Sequence, residues 1–379
     1  MVSSSLRRDE IGSKEDEVSA IEGDRQEALV DRMFGATIGA LEMFSIYLGV
    51  RLGLYNRLWE EGPMTPREAA ASAGITERYA REWLEQQAVA GFLTVEGSEL
   101  APEQRTYSLP RGHAAVFTDP ESSVHLAPFA LLLAGIGEVL PEVVNAYRTG
   151  AGIPFARYGA DMREGQGAIN RPAFLHDLAG SWLPTVRDVH ERLLADPPAR
   201  VADVGTGQGW AAIGLASVYT SARVDGFDPD EASIADARAH AEERGLGERV
   251  TFFAEDAAAM ADRGPYDLAL VLEALHDMSQ PVEVLAAIRE ALADGGSVVV
   301  ADERVADSFA APGDEIERMM YGWSVLHCLP AGLADQPSAG TGTVMRAETL
   351  HEYARAAGYA AFEVLPIDND LFRFYRLSG

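Results

Sequence analysis

Between residues 27 and 58 the apolar side chains return every three or four positions, through Met33, Phe34, Ile38, Leu41, Phe44, Ile46, Tyr47 and Val50, which predicts a helix. They occupy more of its circumference than one buried stripe needs. Such a helix must be covered on more than one side, by the rest of its own chain or by a second subunit. The next stretch is punctuated as short helices. Thr65, Pro66 and Glu68 follow the order of an N-cap, a first-turn proline and a capping-box acid, and Gly74 ends that helix. Thr76 can cap the next, over 77–90, and Gly91 stops it. The apolar run 92–95, a Glu96-Gly97 turn and the run 106–109 then pattern as a hairpin. Helices and hairpin in this order make a winged helix.

Residues 114–195 keep helical spacing, apart from a stretch over 150–167 expected to be irregular, which holds Phe155, Tyr158 and Asp161. Helix resumes through Phe174, His176, Trp182 and Val189 to Leu194, and Pro197-Pro198 closes the section. Beyond it the period changes. Short β-branched runs at 201–204, 223–227, 250–253, 268–272 and 297–300 alternate with helical stretches, which implies parallel βαβ units in a doubly wound sheet. Two more strands, 361–365 and 371–377, are separated by Ile367-Asp368-Asn369-Asp370, as in a closing antiparallel hairpin. The expected architecture is α/β. A polar, disordered leader covers 1–26, a winged-helix and dimerisation region 27–112, a helical, substrate-enclosing region 113–196 and a catalytic sheet domain 197–379.

Composition narrows function more than fold. In 379 residues, 31 Lys+Arg stand against 59 Asp+Glu, a net charge of −28 that repels a phosphate backbone. The second helix of the winged helix repeats the imbalance, with Glu77, Glu82 and Glu85 against Arg78 and Arg81, where a helix entering the major groove would present a basic face. The motif therefore reads as a scaffold for dimerisation or substrate enclosure, with no nucleic-acid partner. Lys14, in the leader, is the single lysine. A P-loop, a Schiff-base enzyme or a pyridoxal-phosphate enzyme would need a lysine in the folded body. Cys328 is the single cysteine, so the chain has no internal disulfide and no multi-cysteine metal site, as in a reducing cytoplasm. The leader lacks a secretory apolar core, and no run reaches the roughly 18 uncharged apolar residues of a membrane span. The nearest, 127–136, stops before Glu138. A soluble, cytoplasmic protein without a membrane partner is expected.

The first strand of the sheet runs into Asp203-Val204-Gly205-Thr206-Gly207-Gln208-Gly209-Trp210 and then an apolar helix. Glycines there let a ligand approach the backbone, and the helix start offers free N–H groups. A dinucleotide fingerprint would place its third glycine where bulky Trp210 stands and would not open on an acid. The loop suits a carboxylate and amine better than a pyrophosphate, with Asp203 near the ammonium group. Asp228 ends the second strand, where a carboxylate can accept both hydroxyls of a ribose. Asp256 and Ala257 follow the third strand and offer a polar side chain and an N–H to an adenine edge.

Together, DxGxGxG, an acid after strand two, Asp-Ala after strand three and a terminal antiparallel hairpin resemble the class I S-adenosylmethionine-dependent methyltransferases over residues 200–379. With the winged helix, and Leu275-His276-Asp277 after strand four, the chain is similar to the two-domain small-molecule O-methyltransferases. Tyr321-Gly322-Trp323-Ser324-Val325-Leu326-His327-Cys328-Leu329-Pro330, with Gly340-Thr341-Gly342-Thr343-Val344-Met345-Arg346 after it, resembles a bacterial, chiefly actinobacterial, branch. The resemblance implies a Rossmann-like seven-stranded sheet with an antiparallel last strand, and S-adenosyl-L-methionine as cofactor. It implies Asp203, Gly205, Gly207, Gly209, Asp228, Asp256, Ala257 and Glu273 as cofactor contacts, a small-molecule acceptor, and a homodimer through the N-terminal helices.

The resemblance also implies that His276 is the general base of an O-methylation. Strand four ends beside the loop of strand one, so a side chain just after it faces the crevice, and imidazole can take a proton from a hydroxyl near neutral pH. Glu303, after strand five, can orient the imidazole, with Asp302 as the alternative. The plant enzymes carry His-Asp-Trp here, and Met278 replaces the tryptophan. His327 falls in the insertion where these enzymes build a lid. With Tyr158, Trp182 and Tyr321 it is a candidate for the acceptor pocket, the alternative for each being packing. Cys328 reads as a small buried hydrophobe. No pair of histidines has a metal-binding spacing, so no metal is expected. Two rival functions stay open: a winged-helix DNA regulator with a nucleoside-sensing domain, and a methyltransferase-fold enzyme that catalyses a reaction other than methyl transfer.

Overall fold

The computed structural model of the chain describes residues 5–379, with side chains from residue 23 onward. Its contacts divide it into two compact units, Met1–Ala114 and Ala115–Gly379.

In the first unit a long helix, Ser5–Arg51, takes in residues 5–26 of the leader expected to be disordered, while residues 1–4 lie outside those described. The leader has no proline and many residues that lose little freedom in a helix, which compensates for its lack of an apolar stripe. Of the helix's described residues 23–51, only Ile46 and Gly49 are buried. Among the described residues of this helix, Met33, Phe34 and Leu41 are 61%, 68% and 63% exposed.

The winged helix forms as its punctuation predicts. Thr65 Oγ1 accepts from the Glu68 N–H while the Glu68 carboxylate accepts from the Thr65 N–H at 2.8 Å, which closes the capping box of the helix Pro66–Ala73. Gly74 ends that helix in the left-handed region at φ 68°. The next helix, Glu77–Val89, buries Trp83 edge-on to Tyr55 at 5.2 Å, with the indole N–H donating to the Ser45 carbonyl. Strands β1 (Thr94–Glu96) and β2 (Thr106–Ser108) pair antiparallel as the wing.

In the second unit seven strands form one sheet: β3 (Arg200–Val204), β4 (Arg223–Phe227), β5 (Val250–Phe253), β6 (Tyr266–Leu272), β7 (Leu292–Glu303), β8 (Ala361–Val364) and β9 (Phe372–Ser378). Their spatial order is β5-β4-β3-β6-β7-β9-β8. The chain starts in mid-sheet, winds out to β5 and returns through β6, so the order reverses between β3 and β6, where ligands bind in open α/β sheets. β9 runs antiparallel to both neighbours. Alternate residues of the inner strands feed two apolar layers, one around Val201, Leu268, Val299 and Phe374 and the other around Val204, Ala269, Val300 and Tyr375. In the first layer the helix Trp210–Val218 lies so close to the segment Ala173–Trp182 that a Cβ on Gly214 would meet the Phe174 carbonyl oxygen at 2.3 Å.

Two helices, Gly23–Arg51 and Phe129–Thr149, are long and apolar enough to cross a membrane by length and composition alone. Glu42 interrupts the first and Glu138 and Glu142 the second, so neither shows as an unbroken apolar run. The second is a core helix: Leu132, Ile136, Val139 and Val143 pack with Tyr158 and Met162.

Candidate active site

The loop after β3 holds Gly205, Gly207 and Gly209 at φ 74°, 50° and 81°, three positions that other residues would enter only with strain. The N–H groups of Gly205 and Thr206 both donate to the Phe227 carbonyl at the end of β4. Asp203 lies behind the loop, 1% exposed, and accepts the Thr206 hydroxyl at 2.6 Å; burial raises its pKa to about 6. Asp228 accepts from the N–H groups of Gly207 and Asp230, both at 2.9 Å, and burial raises its pKa as well. A carboxylate oxygen holding one such bond keeps capacity for another donor. Asp256 accepts from the Ala258 N–H and caps the short helix Ala257–Asp262. The expected cofactor residues thus gather at one end of three adjacent strands.

The candidate base follows β6. Glu273, just past its end, has φ 53°, the one positive value outside glycine among the described residues, and such strain persists where the surroundings over-determine it. Its carboxylate accepts from the Asn170 amide, and burial raises its pKa to about 7. Three residues on, in the turn Leu275–Asp277, His276 is 2% exposed. Its Nδ1 donates to Asp302 Oδ1 at 2.9 Å and lies 3.2 Å from Glu303 Oε2, leaving Nε2 3.4 Å from Asp277 Oδ1. Of the two acids at the end of β7, Asp302 holds the hydrogen bond and Glu303 stands beside it. A Cβ on Gly205 would meet that of Ala274 at 2.6 Å, so this turn abuts the glycine loop.

The charges settle in a definite way. Burial pulls the imidazole down, yet Asp302, Glu303 and Asp277 outweigh it and hold His276 well above its ordinary pKa. Burial pushes Asp302 up, but the His276 charge and the hydrogen bonds it accepts bring it below the usual carboxylate value. Glu303 stays well above, because burial and the Asp302 charge exceed the pull of His276. Proton affinity in this cluster therefore rests on the ring and on Glu303.

The helix Gly159–Pro172 crosses these strand ends with positions 163, 167 and 170 on one face. Arg163 pairs with Asp230 at 2.9 Å, Gly167 leaves room for the Gln208 side chain, and Asn170 donates to Glu273. The irregular stretch expected over 150–167 thus ends at Tyr158, and the glycines that suggested it serve close approach instead, Gly165 to Leu132 and Gly167 to Gln208. Asn170 was not singled out by sequence reasoning, since nothing in its local pattern marks it.

Of the acceptor-pocket candidates, Tyr158 is fully buried with its ring edge-on to His327 at 4.6 Å and its hydroxyl donating to the Leu326 carbonyl at 3.1 Å. His327 Nδ1 lies 3.5 Å from Cys328 Sγ, its Nε2 is buried without a partner, and burial lowers its pKa. The other two pocket candidates are placed differently. Trp182 packs among Phe174, Phe372 and Phe374 in the sheet core, and Tyr321 is 38% exposed with its hydroxyl accepting from Arg346.

Residues 195–347 match the family model described as a methyltransferase domain, and residues 39–119 that of an Rv2258c-like winged HTH domain. The ubiquinone biosynthesis O-methyltransferase of Stutzerimonas stutzeri (strain A1501) is 30% identical over 186 residues, 48% of this chain and 73% of that protein. The chain belongs to the S-adenosylmethionine-dependent methyltransferases. Other curated methyltransferases are matched over about half their length, 44% of one and 51% of another. Among solved structures, the mitomycin 7-O-methyltransferase has a TM-score of 0.64 at 19% identity, covering 95% of this chain and 100% of that one. Human N-acetylserotonin methyltransferase in complex with SAM has a TM-score of 0.66 at 16% identity, covering 91% and 96%. At that identity the likeness is one of fold, and it spans the methyltransferase domain together with the winged-helix region.

Proposed function

We propose that this methyltransferase transfers the methyl group of S-adenosylmethionine to a hydroxyl of a small acceptor, with His276 as the general base. The observation that carries the reading is an imidazole whose Nδ1 is fixed by Asp302, in a turn that touches the glycine loop through Ala274 and Gly205. When bound, the cofactor supplies an electrophilic methyl on a sulfonium. The residues fit it: Asp228 and Asp256 keep acceptor capacity for a ribose and an adenine edge, and the glycines of the loop let a ligand approach its backbone. Asp203 acts from behind, by fixing Thr206.

His276 then works in one direction. Asp302 holds the proton on Nδ1, so the free tautomer presents a lone pair at Nε2 to the acceptor hydroxyl as its oxygen attacks. The raised proton affinity makes the ring a stronger base once free, suited to a phenol-like hydroxyl. Tyr158 and His327 line the acceptor side, and burial keeps water from competing. His276→Ala should leave S-adenosylmethionine affinity, measured by calorimetry, within about twofold while turnover of a hydroxyl acceptor falls about 10²–10⁴-fold. Unchanged turnover would reject the base role.

The winged helix serves as a scaffold in this reading. Arg78 and Arg81 pair with Glu82 and Glu103, and Arg105 with Glu85, so these three cations are engaged within the unit. The exposed apolar side chains of the first helix support a second copy as their cover, with light scattering as the check on a dimer.

A further inference from the structure

The turn after β6 carries more donor atoms than proton transfer uses. A ring nitrogen of His276, a carboxylate oxygen of Asp277 and Cys328 Sγ all lie within 4.8 Å of one another, and His276 Nε2 is 3.4 Å from Asp277 Oδ1. Ligands bound at about 2.0–2.1 Å to a tetrahedral ion stand about 3.3–3.4 Å from each other. Asp277 Oδ1 is buried and has no hydrogen-bond partner. The opposite edge of the ring is held by Asp302 at 2.9 Å, the carboxylate–histidine arrangement that orients a metal-binding imidazole and raises its basicity. Three protein donors leave a fourth position open, and the donors, an imidazole, a carboxylate and a thiolate, suit a borderline-soft ion better than magnesium or calcium. The three come from positions 276, 277 and 328, so no spacing in the sequence announces them.

We propose that His276 Nε2, Asp277 Oδ1 and Cys328 Sγ form a binding site for a divalent cation of the zinc class, and that filling it withdraws the base from methyl transfer. On binding, the thiol proton and the Nε2 proton of the charged ring leave to solvent and the Nε2 lone pair goes to the ion, so that pair can no longer take the acceptor's proton. Ion and base role are mutually exclusive. The second half of the proposal rests on His276 being the base; the first half does not.

The test uses the full chain freed of metal by a chelator and titrated with cobalt(II), whose bond to a thiolate gives a near-ultraviolet charge-transfer band. Because Cys328 is the single cysteine, that band can come from one residue. One equivalent should produce it, zinc should abolish it by displacement, and Cys328→Ser should lack it. Asp277→Asn, at a partly exposed position, should keep the fold and weaken cobalt binding tenfold or more. A missing band at stoichiometric cobalt, or a band that survives in Cys328→Ser, would overturn the site. Zinc should also inhibit turnover at concentrations that displace cobalt, and Cys328→Ser should need at least tenfold more; equal sensitivity would overturn the inhibitory role. A cobalt band in a protein that methylates no hydroxyl would instead refute the proposed function and leave the cation site standing.

Discussion

Replacing Asp302 by asparagine removes one charge and keeps the shape of the side chain. In the native protein Asp302 Oδ1 accepts from both His276 Nδ1 at 2.9 Å and the Glu303 N–H at 3.0 Å, with the carboxylate 1% exposed. Asparagine with its oxygen in the place of Oδ1 can keep both bonds, so the variant removes the charge while the proton stays on Nδ1. Without that counter-charge the ring holds its second proton less tightly and becomes a weaker base. Turnover should fall by part of what the base contributes, about 10-fold or more against about 10²–10⁴-fold for removing it. Taking one partner from a buried pair also costs about 3–5 kcal/mol of stability. The pH profile separates the two effects. Because His276 is raised well above its ordinary value, native turnover should climb with pH through the range above neutrality, as the ring deprotonates. Stability has the opposite sign: it is fully present below the unfolded histidine value and lost as pH rises through the raised one. Asp302→Asn should shift the ascending limb of the rate to lower pH, lower its plateau and flatten the alkaline fall of the melting temperature. S-adenosylhomocysteine formation, measured across pH beside calorimetric cofactor binding, gives the answer. A variant with the native limb and turnover within threefold would refute the electrostatic role of Asp302.

Asp228→Ala removes the acceptor of two loop N–H groups and the expected ribose acceptor, so S-adenosylmethionine affinity should fall about 100-fold, some 3 kcal/mol; unaltered calorimetric binding would reject the contact. Glu273 rises from 4.5 to about 7, so it contributes stability that is whole below the lower value and lost as pH climbs through the higher. Glu273→Gln should therefore make the melting temperature of the ligand-free protein less steep between those two pH values, and an unchanged slope would remove it from the account. Gly214→Ala drives a methyl into the Phe174 carbonyl and should cost at least the 1–3 kcal/mol typical of overpacking, about the same in thermal and denaturant unfolding; a neutral variant would mean that the two segments can separate freely.

Much of the sheet was legible because buried parallel strands are runs of β-branched residues. The run 223–227 and the observed β4 coincide, and so do 250–253 and β5. β7 was read short. It begins at Leu292 and includes Gly295 and Gly296, which read as a turn locally but sit in a ladder with a shift of register against β6. The helix Gly159–Pro172 was hidden by its glycines, whose purpose appears only when Leu132 and Gln208 are in place. In the site, His276, Asp228 and the acids of β7 could be read because they fall where strands end. Asn170 and Cys328 could not, since their approach to Glu273 and to the base is made by the fold across about 50 to 100 residues.

One helix bridges the loops that follow β3, β4 and β6, through residues spaced four and then three apart. Displacing that helix would loosen all three loops together, so under the proposed function cofactor exchange is expected to involve the three loops as one group.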